Sequence, residues 1–483
     1  MNTSGKIDHD AVLRARTMLL GSGGLGLSQE VWAYRVLVTV GPETYLPKLA
    51  RALVSYGYQA GDRELEGRLA LHAEAAEAAR RVDAGEPGRT EVLCAALDAY
   101  QHTLLLAGRR AEALAVCEEM AEAGRLGSER GVLTGFVGGQ GRLSAVLAEE
   151  GRHAEAADLL GRRASSRGHR ADFWDTVERA AELEAAGRHG EALAAFTVLV
   201  DETRREAPAE GDPTATLVWE LVHRSRMFDA AGHREEAGAD RLEALRALAR
   251  LAESVEPGSR GNPLGWWVTL FALSGRATEP VGTREAPVPP FGADRHHWSP
   301  DTRTPYLAGI PALEAAVTEL AGAGRPAEAW AAHRRLARRV VVRQDGHHWR
   351  FEEELRPLFD AGVALAGRLS GPPGTPAGDD AGAPEAPSGT LTVGARPSGS
   401  PEALADALTD RAMFLVAAQR YRDAHADFSE AVGLLDGAAR RDGVARTDSS
   451  ARTDSSARTD GSARTDSAAR TDGAVRTSIV TRT

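Results

Sequence analysis

Of 483 residues only two are cysteine, Cys94 and Cys117. Both fall at apolar positions of helical segments, so they read as buried thiols of a reducing compartment and not as a disulfide framework. Lysine occurs only at Lys6 and Lys48 and asparagine only at Asn2 and Asn262, leaving arginine to carry the positive charge. With abundant alanine and glycine, this usage points to a high-GC bacterial genome. The net charge is −11, and without a basic excess to neutralise phosphates the chain is not expected to be a general nucleic-acid binder. No apolar run approaches the ~18 residues of a membrane span. The first twenty residues lack the charged, apolar, small-residue order of a secretory signal. The expectation is a soluble cytoplasmic protein with no membrane partner.

What the sequence has is helical periodicity and one recurring corner. In residues 172–187, Phe173, Val177, Ala180, Leu183 and Ala186 fall three or four apart, which is one face of a helix. After Gly187 the pattern resumes at Ala192, Leu193, Phe196, Leu199 and Val200. A glycine at such a junction fits a left-handed C-cap that ends one helix and starts an antiparallel one. The segment AAGRHGEALAAF (185–196) has relatives at 107–117, 149–160, 230–241, 322–333 and, more weakly, 417–428. The corner glycines Gly108, Gly151, Gly187, Gly232 and Gly324 are 43, 36, 45 and 92 residues apart. The last step spans two periods. A recurrence of roughly 34–47 residues marks helix pairs that cannot bury their apolar stripes alone and stack on their neighbours.

The corner Gly-Arg-x-x-Glu-Ala with a bulky residue one turn later resembles the tetratricopeptide repeat. The small position is filled by Ala113, Ala156, Ala192, Ala237, Ala329 and Ala424, and the bulky one by Cys117, Leu160, Phe196, His333 and Phe428. Arg241 is the departure. The first helix carries Leu104, Leu147, Leu183, Phe228, Leu320 or Leu415 four residues before each corner. Small residues let two helices approach, and large ones fill the space between them. The resemblance implies an all-α solenoid of antiparallel helix pairs wound as a right-handed superhelix.

On this reading residues 1–42 form a helical cap, 43–255 the first repeats (one corner near Gly61), 305–370 further repeat-like helices and 401–440 a C-terminal hairpin. Residues 256–304 read as an irregular, Pro-rich interruption. The Pro-, Gly- and Ala-rich stretch 371–400 reads as a flexible linker. The hairpin is then either tethered or docked back across that linker. From Ala445 an ARTDSS-type hexapeptide repeats with no apolar side chain larger than Ala, so 441–483 is expected to be a disordered tail.

No motif specifies a reaction. GSGGLGLS (21–28) has helical sequence before it and no Lys-Ser or Lys-Thr after it, so it reads as an interhelix turn with Ser28 capping the next helix. GFVGGQGR (135–142) receives the same reading. RRVVVRQDGHHWRF (338–351) reads as two helices broken by a loop. The two HHW triplets contain His296, His297, His347 and His348. With Asp294, Asp301 or Glu352 they offer the ligand types of a zinc hydrolase, but no metal-ligand spacing supports them, so no metal or other cofactor is expected.

By the resemblance, the inner wall of the array comes from the first helix of each pair and presents Asp98, His102, Trp174, Val177, Glu184, Trp219, Arg226 and Asp229 to a groove. Trp174 and Trp219 are the candidate anchors; their alternative is packing between repeats. The Lys and Asn clamp with which chaperone-binding members hold a peptide carboxylate is missing. The expected function is a non-catalytic scaffold binding a protein or peptide segment. The metal-dependent hydrolase and a regulatory peptide sensor are the alternatives.

Overall fold

The computed structural model describes residues 8–21, 24–59, 65–131, 138–167, 172–206, 213–253, 264–344, 348–370 and 401–456. Among them every regular element is helical. The first twelve are α1 (His9–Leu20), α2 (Leu27–Val38), α3 (Pro42–Gln59), α4 (Leu65–Arg80), α5 (Arg89–Leu106), α6 (Arg110–Glu129), α7 (Gly138–Glu149), α8 (His153–Arg167), α9 (Phe173–Ala185), α10 (His189–Glu206), α11 (Pro213–Ala230) and α12 (Arg234–Glu253). Each packs on the next in chain order. They are followed by α13 (Leu264–Leu273), α14 (Pro300–Ala308), α15 (Ile310–Gly322), α16 (Pro326–Arg343), α17 (His348–Ser370), α18 (Pro401–Ala417) and α19 (Tyr421–Ser456). No helix of the described residues is long and apolar enough to cross a membrane.

The corners have a common construction. Gly108, Gly151, Gly187, Gly232 and Gly324 all have φ between 69° and 83°, the left-handed region that glycine enters without a Cβ penalty. The residue after each corner donates its N–H to the large apolar residue four before it. Arg109 donates to the Leu104 carbonyl at 2.8 Å, Arg152 to Leu147 at 2.9 Å, Arg188 to Leu183 at 2.8 Å, His233 to Phe228 at 2.9 Å and Arg325 to Leu320 at 3.0 Å. The sixth corner has the same bond, Arg420 to Leu415 at 2.8 Å, with Gln419 at φ 58° where the others have glycine. The motif's Arg and acid pair on the following turn, as in Arg188–Glu191 at 2.8 Å and Arg420–Asp423 at 2.8 Å. The six small residues after the corners are all fully buried, so a larger side chain there would hold the paired helices apart.

The spatial order departs from the chain order after α12. That helix packs not on α13 but on α19, and from there neighbours run backwards through α18, α17, α16 and α15. The C-terminal hairpin therefore docks, closing the gap between two arms of the chain. Helix α13 lies between those arms, touching α9, α11, α16 and α18. Its sequence LGWWVTLFAL buries eight of ten residues, as a helix apolar on all sides must.

The segment 256–304, expected to be irregular, is thus partly helical, and its non-helical part is fastened to the inner helices. The buried Glu149 carboxylate accepts from Arg110 at 2.7 Å, from the Ser299 N–H at 2.8 Å and from the Thr302 hydroxyl at 2.9 Å. Phe291, Trp298 and Tyr306 pack edge to face beside it.

Other expectations are corrected. Helix α2 starts at Leu27 with Gly26 as its N-cap, whose N–H is answered by the Gln29 side chain at 3.3 Å; Ser28 lies inside the helix. Gly139 and Gly141, taken as parts of a turn, are in α7. A Cβ on Gly139 would come within 2.4 Å of the α6 backbone at Met120, so glycine serves close helix approach there. Helix α19 runs past residue 440 and through two hexapeptides to Ser456. The corner near Gly61, the linker 371–400 and residues 457–483 lie outside the described residues. Cys94 and Cys117 are free and buried, and burial pushes their thiols up to about 11 and about 12.

Candidate functional site

A cavity of about 470 Å³ opens where α9 and α11 face the non-helical segment after α13. Helix α11 contributes His223, Arg226, Met227 and Ala230, spaced so that they share one face. Helix α9 contributes Glu182, Glu184 and Ala185, and α8 begins with His153 at the edge. The opposite wall is mixed, with Leu273, Pro280, Val281, Pro289, Pro290 and Phe291 beside Ser274, Arg276 and Glu279. Val281 is 80% exposed and forms the rim.

The polar groups of the cavity are mostly engaged. His153 Nδ1 meets Glu182 Oε2 at 2.6 Å. Arg276 donates to the Ala181 carbonyl at 2.6 Å and lies 3.9 Å from Glu182. Arg226 pairs with Asp410 of α18 at 2.7 Å. Ser274 donates to the Phe271 carbonyl at 2.7 Å and accepts from Arg338 at 3.1 Å, so its hydroxyl is not set against a base. The His223 ring lies tilted against Phe196 at 5.0 Å, and burial, with Arg226 and Arg276 nearby, lowers its imidazole to about 3. It is therefore neutral across the physiological range. Burial raises the Glu184 carboxyl, with Arg276 and His189 opposing at longer range. The arrangement is that of a cavity whose apolar surface is interspersed with polar groups, most of them engaged.

The structure brings two of the eight groove residues, Glu184 and Arg226, into this cavity. The others lie elsewhere. Trp219 is only 2% exposed and its indole N–H donates to the Met413 carbonyl at 3.1 Å. That position is covered by the protein's own C-terminal hairpin, so Trp219 is not open to a partner. Val177 is buried in the core. Trp174 packs edge-on to Phe173 at 5.4 Å and against α13 at Gly265. Asp229 pairs with Arg241, the residue that broke the bulky position of the fourth corner. Asp98 takes Arg142 at 3.4 Å, and His102 is half-buried on α5.

The acids proposed for the histidine-rich segments are engaged elsewhere. Asp294 caps the turn at His296 by accepting from its N–H at 2.9 Å, Asp301 binds Arg110 at 3.0 Å, and Glu352 binds Arg356 and Arg420 at 2.8 Å each. Burial lowers His297, with Arg142 nearby. His347 lies outside the described residues, and His348 begins α17. Among the described residues no group of three or more His, Cys, Asp or Glu is placed to hold a metal ion.

Sequence reasoning missed His153, Glu182, His223 and Arg276. His223 carried a signal, since it lies three residues before Arg226 on the same helix face. Arg276 sits in the Pro-rich segment, whose path no periodicity records.

No family model matches the chain, and no curated protein matches it. Among solved structures it is similar to the crystal structure of BtubC (BKLC) from P. vanneervenii, at 16% identity and a TM-score of 0.32, over 48% of this chain and 92% of that one. A likeness of that size bears on neither fold nor function. The class defined by the coordinates themselves is an all-α protein of paired helices with a side cavity.

Proposed function

We propose that the chain is a non-catalytic scaffold, a tetratricopeptide-like solenoid of helix pairs that holds a segment of a partner protein at its inner wall. The recurring left-handed corners and the buried alanines behind them support the solenoid reading. The observation that carries the binding reading is the cavity itself. Two inner-wall residues from successive pairs, Glu184 and Arg226, line one open space of about 470 Å³, within the range of ligand sites. Because α13, α14 and the C-terminal hairpin occupy much of the inner face, the partner segment enters at this cavity and does not run along the whole groove.

Site-specific photo-crosslinking tests the reading. A photoreactive residue at Val281, on the rim, is expected to capture a discrete protein in an extract of the source organism. The same residue at Val198, exposed on α10, is expected to capture none. Equal capture from both positions, or none from Val281, overturns the proposal.

A further inference from the structure

The charges that line the cavity have direct ion-pair partners, with a single exception among the described residues. Glu182 has His153 and Arg276, Glu279 has Arg339 at 2.8 Å and Arg335 at 3.6 Å, and Arg226 has Asp410. Glu184 has no ion-pair or hydrogen-bond partner among the described residues, although it lines the cavity and is half-buried. A carboxylate partly withdrawn from water with no direct partner, and only Arg276 and His189 opposing its burial, is costly.

A second observation is independent of the first. His223 is 8% exposed, faces the same cavity, and its ring nitrogens have no polar partner among the described residues. A neutral imidazole offers one acceptor nitrogen and one N–H. A polar side chain without a protein partner in a cavity wall is open to whatever enters the cavity, water or ligand. Around these two groups the surface is aliphatic and aromatic, with Met227, Pro289 and Phe291.

We propose that the cavity binds an organic cation, an alkylammonium or alkylguanidinium group on an apolar stem. Glu184 takes the charged head, His223 accepts one of its N–H groups, and Met227, Pro289 and Phe291 cover the stem. A cationic ligand is selected because Glu184 is the lining charge with no direct partner among the described residues, while Arg226 is held by Asp410 and Arg276 by Glu182 and the Ala181 carbonyl. This rests on the reading that the cavity holds a partner segment, and it names the group by which the segment is held: a lysine or arginine side chain.

The test is titration calorimetry of the full chain with agmatine and n-butylamine, using sodium butyrate as the anionic control. Both cations are expected to bind saturably and butyrate not at all. Glu184→Gln, which keeps the shape of the side chain, is expected to weaken agmatine by about tenfold or more, the scale of one charge-assisted hydrogen bond. Ala277→Trp, at an exposed lining position, is expected to block the cavity with an unchanged melting curve. Absence of heat with both cations, or equal affinity in the wild type and Glu184→Gln, overturns the proposal. A blocked alanine-arginine-alanine tripeptide distinguishes the sources. Tighter binding than agmatine supports a partner's side chain. Exclusion of the tripeptide while agmatine binds keeps the cation site and overturns the partner-segment reading. Specific crosslinking from Val281 with no cation binding does the reverse.

Discussion

Arg226 of α11 and Asp410 of α18 meet at 2.7 Å across 184 residues of chain. Arg338 of α16 reaches the same buried carboxylate at 3.4 Å. One acid is thus shared by two guanidiniums from two other helices, and although burial pushes its carboxyl up, those arginines hold it below the usual range. Asp410→Asn leaves Arg338 without its counter-charge in the interior. It should cost about 3–5 kcal/mol of unfolding free energy, the scale for breaking a buried pair from one side. Urea denaturation of both proteins measures this, and an unchanged midpoint would show that the cluster does not fix the hairpin.

The hairpin is held by more than that cluster. Phe414 stacks on Phe359 at 4.7 Å, and Trp219 donates to the Met413 carbonyl. A protease site engineered within residues 371–400 should therefore yield two fragments that co-elute on gel filtration after cleavage. Separation of the fragments in native buffer would contradict the docking.

Gln419 occupies a left-handed corner where the other five corners have glycine. A non-glycine residue there costs roughly 1–2 kcal/mol. Gln419→Gly should stabilise the protein by about 1 kcal/mol, part of the relief being lost to the freer unfolded chain. Gly187→Ala, whose added Cβ meets open space, should lose about as much through backbone strain alone. If both variants melt like the wild type, the corners carry no strain.

Two buried carboxyls make stability depend on pH. Burial pushes Glu178 up to about 7 and Glu220 up to about 8 from an ordinary value of 4.5. A carboxyl whose folded pKa is raised binds its proton more tightly in the native state. Its contribution is complete below pH 4.5 and is lost as pH rises through about 8 for Glu220. Glu220→Gln should therefore melt higher than the wild type at pH 9, with the gap closing as pH falls towards 5. A constant gap across that range would mean that Glu220 does not titrate in the window.

The helix pairs were legible because each corner is local: a glycine, the large residue four before it and the alanine five after it define one turn. The same locality explains what was not legible. Trp219 has the size and position of a groove anchor, and nothing near it in sequence says that Met413 covers it. The α13 sequence is apolar all round and so has no periodic face to reveal a helix. Glu184 and Arg226 were marked because they sit on repeat positions, whereas Arg276 depends on how Pro-rich chain crosses the interior. Arg241, read as a defect of the fourth corner, has Asp229 as its partner, so two marked positions answered each other.

The reversed order of neighbours after α12 has a consequence for how the chain acquires its structure. An ordinary array can grow outward from any folded unit, each new pair needing only the one before it. The joint between α12 and α19 cannot form that way, because the residues that cover Trp219 are synthesised nearly two hundred positions later. During translation the face of α11 stays uncovered until the last hairpin emerges. Folding should accordingly finish in one slow, long-range closure and not as a steady propagation.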